Sequence, residues 1–152
     1  MLSLESKIPP PVIVLIMAVG MWVISRAVPW PLYELPAHSW LAAVLVSTGF
    51  VTGMSGVVTF RRARTTVNPM THHASSLVTS GVYTISRNPM YLGGLIMLLG
   101  WGILLSNAPA LVCLPVYVLY INRFQIEPEE RALTLLFGPA YTAYTARARR
   151  WL

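Results

Sequence analysis

Two short stretches of an otherwise apolar chain carry side chains that could do chemistry. The first is Arg87-Asn88-Pro89-Met90-Tyr91-Leu92-Gly93, and the second is Glu129-Glu130 followed by Phe137-Gly138-Pro139-Ala140-Tyr141 and Tyr144. A guanidinium such as Arg87 meets a carboxylate or phosphate as a planar fork. Proline at a helix start fixes the entry and leaves nearby N–H groups free for a ligand. Gly93 and Gly94 allow close approach of a second helix or a flat ligand. Glu129 and Glu130 can receive an ammonium group or ribose hydroxyls. A zwitterionic, nucleoside-bearing ligand would therefore find partners for both of its charges.

The elements that must position these residues are membrane helices. Of 152 residues, 55% are hydrophobic and 11% charged, where a soluble domain of this size carries about 25% charged residues. Mean hydropathy is +0.61. The apolar runs predict an all-α, polytopic protein forming a single membrane domain over 1–152. Its four spans are expected at 11–28, 39–60, 88–106 and 109–124, each long enough to cross or nearly cross the hydrocarbon core once polar flanks are added. The apolar run after Lys7 continues to Val28 without a convincing cleavage site, so it reads as a retained span. Residues 61–87 form a polar loop. The segment 126–152 is amphipathic, with Ile126, Leu133, Leu136 and Phe137 able to share one face. It is expected to cap a pocket opened between the spans.

Basic residues set the orientation. With the N-terminus inside, Lys7, Arg61, Arg62, Arg64, Arg87, Arg123, Arg131, Arg147, Arg149 and Arg150 fall on the cytoplasmic side, and Arg26 falls near the other face. Both termini are thus expected in the cytoplasm. A pI near 10.0 does not point to nucleic acid, because the charges flank apolar runs and no nucleic-acid motif accompanies them. The single cysteine, Cys113, excludes an internal disulfide. His72-His73 lacks a third ligand nearby, so no metal is expected.

The stretch from Arg87 to Gly93 resembles the R-H-P-x-Y-x-G motif of the integral membrane methyltransferases that include the isoprenylcysteine carboxyl methyltransferases and the phospholipid N-methyltransferases. Glu129-Glu130, Phe137-Gly138, Tyr141 and Tyr144 resemble the same family's E-E-x-x-L…F-G-x-x-Y-x-x-Y tail, and Leu77 to Tyr83 resembles its approach to the motif. The resemblance implies S-adenosylmethionine as methyl donor, bound at the cytoplasmic face. The acceptor would be a lipid or lipophilic small molecule entering laterally from the bilayer, and the setting a bacterial inner membrane. It implies catalytic roles for Arg87, Asn88 and Glu130. Arg87, Asn88, Pro89, Tyr91, Gly93, Glu129, Glu130 and Tyr141 would hold the donor. Asn88 stands where the family often has histidine. Asparagine cannot move a proton near neutral pH, which favours a carboxylate or thiolate acceptor over an amine.

Other readings stay open at this level. The R-x-P-x-Y-x-G segment also resembles the C-terminal parts of membrane sterol reductases, which use NADPH and are much longer chains. A non-catalytic membrane partner is a third reading. Arg61, Arg62 and Arg64 read as topology anchors, Gly49-x-x-x-Gly53 as a close helix contact, and Tyr141 and Tyr144 equally as interfacial aromatics.

Overall fold

Glycine decides where the two most intimate helices meet. Helix α2 (His38–Arg62) and helix α3 (Pro89–Leu105) cross at Gly49, Gly53 and Gly93. A Cβ on Gly93 would lie 2.5 Å from the Gly49 carbonyl oxygen and 2.7 Å from the Gly53 nitrogen, so the two backbones touch directly. Further along α3, a Cβ on Gly100 would lie 2.9 Å from the Ala42 carbonyl of α2. In lipid there is no hydrophobic gain from pairing apolar helices, and such small-residue seams supply the packing instead.

The computed structural model describes residues 8–28, 38–63 and 76–152. Lys7, Arg64 and the His72-His73 pair lie outside those residues. Helix α1 (Pro10–Ala27) begins with two prolines, whose missing N–H groups cost nothing in a first turn. Helix α3 is announced by a 3-10 turn at Gly81–Thr84 and opens on Pro89. It ends at Ser106, whose left-handed φ of 49° turns the chain, and Asn107 accepts the Ala110 N–H to start the next turn. A single rod then runs from Ala108 to Phe137, comprising α4 (Cys113–Ile121), one π turn at Asn122–Ile126 and α5 (Glu127–Phe137). The π turn has a local cause. Pro128 has no N–H to offer, and its ring crowds the carbonyl four residues back, so the backbone widens there. Gly138, with φ 48°, separates α5 from the short α6 (Pro139–Thr145).

All secondary structure among the described residues is helical apart from one isolated bridge between Ser86 and Arg149. Helices α1, α2 and the rod are long and apolar enough to cross a membrane. Helix α3, at 17 residues, covers about 26 Å at 1.5 Å per residue. Apolar side chains such as Leu15, Val51 and Leu119 face outward from these helices. The protein is an all-α integral membrane protein.

Two tethers align the helix ends. Gln125 donates its side-chain N–H to the Ile8 carbonyl (2.9 Å), joining the start of α1 to the end of α4. Asn107 donates to the Val28 carbonyl (3.0 Å), joining the opposite ends. Between them Ile13, Met21, Leu98, Tyr117 and Ile121 form the buried core. The start of α1, the end of α2, the start of α3 and all of α5 and α6 thus gather at one end of the bundle.

Candidate functional site

At that end the helices enclose a cavity of about 910 Å³. It lies at the upper end of the 300–1,000 Å³ usual for a small-molecule site. Its walls are unlike. Arg87, Asn88, Tyr91, Glu129, Glu130 and Tyr141 line one part, whereas Leu15 and Ala18 of α1, Phe50 and Met54 of α2, and Gly94 and Met97 of α3 line another.

The polar wall is built from segments far apart in the chain. Glu130 receives Arg150 as a fork, at 3.2 Å from Nε and 2.6 Å from a terminal nitrogen, and Arg87 lies 3.3 Å from the same carboxylate. Two guanidinium groups thus share one carboxylate, leaving a positive excess that a ligand carboxylate would neutralise. The Nε–H of Arg87 is buried and has no hydrogen-bond partner among the described residues. Such a donor is costly to leave unmade unless a ligand or water completes it.

Glu129 lies beside this cluster and behaves differently. Its carboxylate accepts a 2.6 Å bond from the Tyr91 hydroxyl. The apolar part of the rod ends before Arg123, so Glu129 sits beyond the membrane-spanning segment. Burial pushes its pKa up to about 7; the Tyr91 bond opposes that rise, and the neighbouring Glu130 charge adds to it. A cation brought into the cavity would favour the ionised form. The donor set therefore fits a zwitterionic ligand, with Arg87 facing a carboxylate and Glu129 a positive centre.

Residues 149–151 bind back onto the start of α3 and the rod. Arg87 donates its backbone N–H to the Arg149 carbonyl (2.9 Å), and the Asn88 side chain donates to the Arg150 carbonyl (2.9 Å). The Trp151 ring N–H reaches Asn122 at 3.0 Å. Tyr144, buried, donates its hydroxyl to the Tyr83 carbonyl at 2.7 Å.

Of the residues singled out from sequence, Arg87, Asn88, Tyr91, Glu129, Glu130 and Tyr141 line one cavity. Pro89 and Gly93 do not. They sit on the face of α3 turned to α2, where Pro89 approaches Gly56 and Gly93 meets Gly49 and Gly53. Gly94, one helical step round, is the glycine that lines the cavity. Asn88 lines it too, but its amide is occupied in holding the chain end rather than poised for proton transfer. Sequence reasoning missed Arg150, which it read as a membrane flank, and the cavity roles of Tyr83, Tyr117 and Gln125. A signal existed for Tyr83 alone, which falls inside the motif approach.

Residues 37–140 match the phospholipid methyltransferase family. The chain is 33% identical to mouse protein-S-isoprenylcysteine O-methyltransferase over 129 residues, 78% of this chain and 42% of the mouse protein. It is 31% identical to protein-S-isoprenylcysteine O-methyltransferase A of Arabidopsis thaliana over 116 residues, 72% of this chain and 58% of that relative. An uncharacterized protein of Haemophilus influenzae is 43% identical over its whole length, which corresponds to 41% of this chain. The chain thus spans only about half the length of the named methyltransferases it matches. No solved structure matches it.

Proposed function

The chain belongs to the phospholipid methyltransferase family, and from that premise we propose that it transfers a methyl group from S-adenosylmethionine to a lipophilic acceptor drawn from the bilayer. The observation that carries this reading is the two-walled cavity, where a zwitterion-binding cluster and an apolar, helix-lined wall belong to one space. Bound there, S-adenosylmethionine supplies an electrophilic methyl group on a sulfonium. Arg87, whose side chain lines the cavity and is 15% exposed, takes the donor's carboxylate. Glu130 orients both guanidinium groups, and Glu129 faces positive charge. Tyr91 holds Glu129 in place through its hydroxyl and, through its backbone carbonyl, accepts from Tyr117. The segment 149–151 braces the Arg87–Asn88 entry of α3. Methyl transfer demands alignment and dryness more than acid–base help, and this enclosure serves both.

The orientation places the polar end of the bundle in the cytoplasm. The clustering of Arg61, Arg62, Arg87, Arg123, Arg131 and Arg150 at that end supports it, with Arg26 at the other end. A bacterial inner membrane suits the reading.

The test is thermal stabilisation of the purified protein by S-adenosylhomocysteine, with NADPH as comparator. Stabilisation by S-adenosylhomocysteine alone is expected, weakened at least tenfold in apparent affinity by Glu130→Ala and by Tyr91→Phe. Stabilisation by NADPH instead would turn the reading toward a reductase. Methyl label carried from S-adenosylmethionine into a lipid extract then identifies the acceptor.

A further inference from the structure

The rod grips Tyr91 at two points. Tyr117 of α4 donates its hydroxyl to the Tyr91 carbonyl (3.1 Å), and Glu129 of α5 accepts from the Tyr91 hydroxyl (2.6 Å). Both bonds need Tyr117 and Glu129 on one face of the rod, and an unbroken α-helix would not put them there. At about 100° per residue, Gln125 would stand roughly 80° round from Tyr117 and Glu129 roughly 120°. The π turn at Asn122–Ile126 takes up one extra residue and brings both to within about 20° of Tyr117. Tyr117, Gln125 and Glu129 accordingly all line the cavity.

Gln125 lies inside that π turn, buried, with a primary amide that is costly to bury unbonded. It donates to the Ile8 carbonyl, 117 residues away (2.9 Å). Ile8 leads into Pro9, Pro10 and Pro11, which have fixed φ and no N–H, so one bond holds a stiff segment. Ile8 and all three prolines line the cavity. Glu129 follows Gln125 by one helical turn, so the held segment is pinned one turn of the rod from that carboxylate.

We propose that Gln125 is a positioning residue for the methyl donor: by tying the π turn to the Ile8 carbonyl, it keeps the proline-stiffened entry of α1 packed beside Glu129 and water away from that carboxylate. This rests on the donor reading above. The titratable and charged groups that line the cavity with Glu129 are Tyr83, Arg87, Tyr91 of α3, Tyr117 of α4, Glu130 of α5, and Tyr141 and Tyr144 of α6. Arg150 reaches the same cluster through Glu130. The described start of α1, residues 8–15, brings only apolar side chains. Releasing it therefore lets in water without removing a charge, and water lowers a carboxyl pKa that burial has raised.

Isothermal titration of S-adenosylhomocysteine into the purified protein, repeated from pH 5 to pH 8, tests it. Wild-type affinity should fall about tenfold from pH 8 to pH 6, as a carboxyl with a pKa of about 7 takes up its proton. Gln125→Leu keeps the volume and removes the donor. Its midpoint should move down by about one pH unit or more, so that the loss over the same range is about twofold or less. Gln125→Asn, one methylene shorter, should move the midpoint the same way, and it serves where the leucine variant fails to accumulate. Asn107→Ala cuts the tether at the opposite end of α1 and should lower Tm while keeping the tenfold loss. A tenfold loss retained in the Gln125 variants overturns the proposal. So does an equal flattening in Asn107→Ala, which would make general loosening the cause. Wild-type protein that binds no S-adenosylhomocysteine would sink the donor reading instead. The Tm without ligand then decides the role of Gln125: its decline from pH 5 to pH 7 should be shallower in Gln125→Leu, and an unchanged decline overturns that role.

Discussion

The α2–α3 seam and the polar cap at one end of the bundle hold the molecule together by opposite means. In the seam, Gly49, Gly53 and Gly93 bring backbone against backbone, with the Met97 side chain packed close beside Gly49. In the cap, Arg87, Arg150 and Glu130 meet through long side chains, with Arg150 40% and Glu130 20% exposed. A seam without slack fixes where Tyr91 and Arg87 stand at the mouth of α3. A cap made of rotatable ion pairs can exchange partners when a charged ligand arrives. The rigid region sets geometry, and the adjustable one leaves charged groups free to re-pair.

The comparison breaks most readily at the seam. Gly93→Ala places a methyl group 2.5–2.9 Å from three backbone atoms of α2 and should destabilise by about 3 kcal/mol or abolish accumulation. Gly53→Ala, on the same seam but with a Cβ that meets nothing nearer than the Met90 carbonyl at 3.9 Å, should stay within about 0.5 kcal/mol. Denaturation in detergent measures both, and equal effects would remove the distinction between a seam and ordinary packing.

In the cap, Glu130→Gln leaves two guanidinium groups facing each other without a carboxylate. S-adenosylhomocysteine affinity should fall roughly tenfold to a hundredfold, the range for charge-assisted bonds. The Tm should drop by only a few degrees, because the pairs are partly solvated. Isothermal titration and thermal melts separate the two effects.

Glu129 gives a smaller, pH-dependent signature. Its folded pKa is raised to about 7 from the ordinary 4.5. Its contribution to stability is therefore fully present below 4.5 and is lost as pH rises through about 7. Melting temperature should decline by a few degrees over that window in the wild type, with a shallower decline in Glu129→Gln. Affinity for the cationic donor should run the other way, rising with pH up to about 7, and Glu129→Gln should flatten it. The least effect belongs to Glu127→Ala. It removes an exposed pair with Arg123 at 3.4 Å and should change stability by no more than about 0.5 kcal/mol, without altering donor affinity.

The helical membrane architecture was legible because lipid forces each span to satisfy its own backbone, so apolar runs and their proline and glycine borders mark helices directly. The motif around Arg87 and the Glu129-Glu130 pair were legible for a different reason: their residue types are scarce in this chain and conspicuous beside apolar runs. Of the two close approaches that Gly93 and Gly94 offered, helix or ligand, the sequence could not assign either, because spacing along a helix cannot say which face meets a ligand and which meets a neighbour. One step of about 100° separates Gly93 on the seam from Gly94 in the cavity. Arg150 was invisible as a site residue because an arginine in a basic run near a membrane has an ordinary explanation, and its partner Glu130 is twenty residues away.

The sequence by itself therefore determined the class of structure, the number of apolar helices and the two segments that carry charge, since these depend on composition and local periodicity. Only the tertiary structure decided that both segments share one cavity, that residues 149–151 bind back onto the start of α3, and that Tyr144 bonds to the Tyr83 carbonyl. Those facts arise from contacts such as Asn88 with Arg150 and Tyr83 with Tyr144, sixty or more residues apart. Such contacts are set by how glycine seams and helix-end tethers align the spans, which no local pattern encodes.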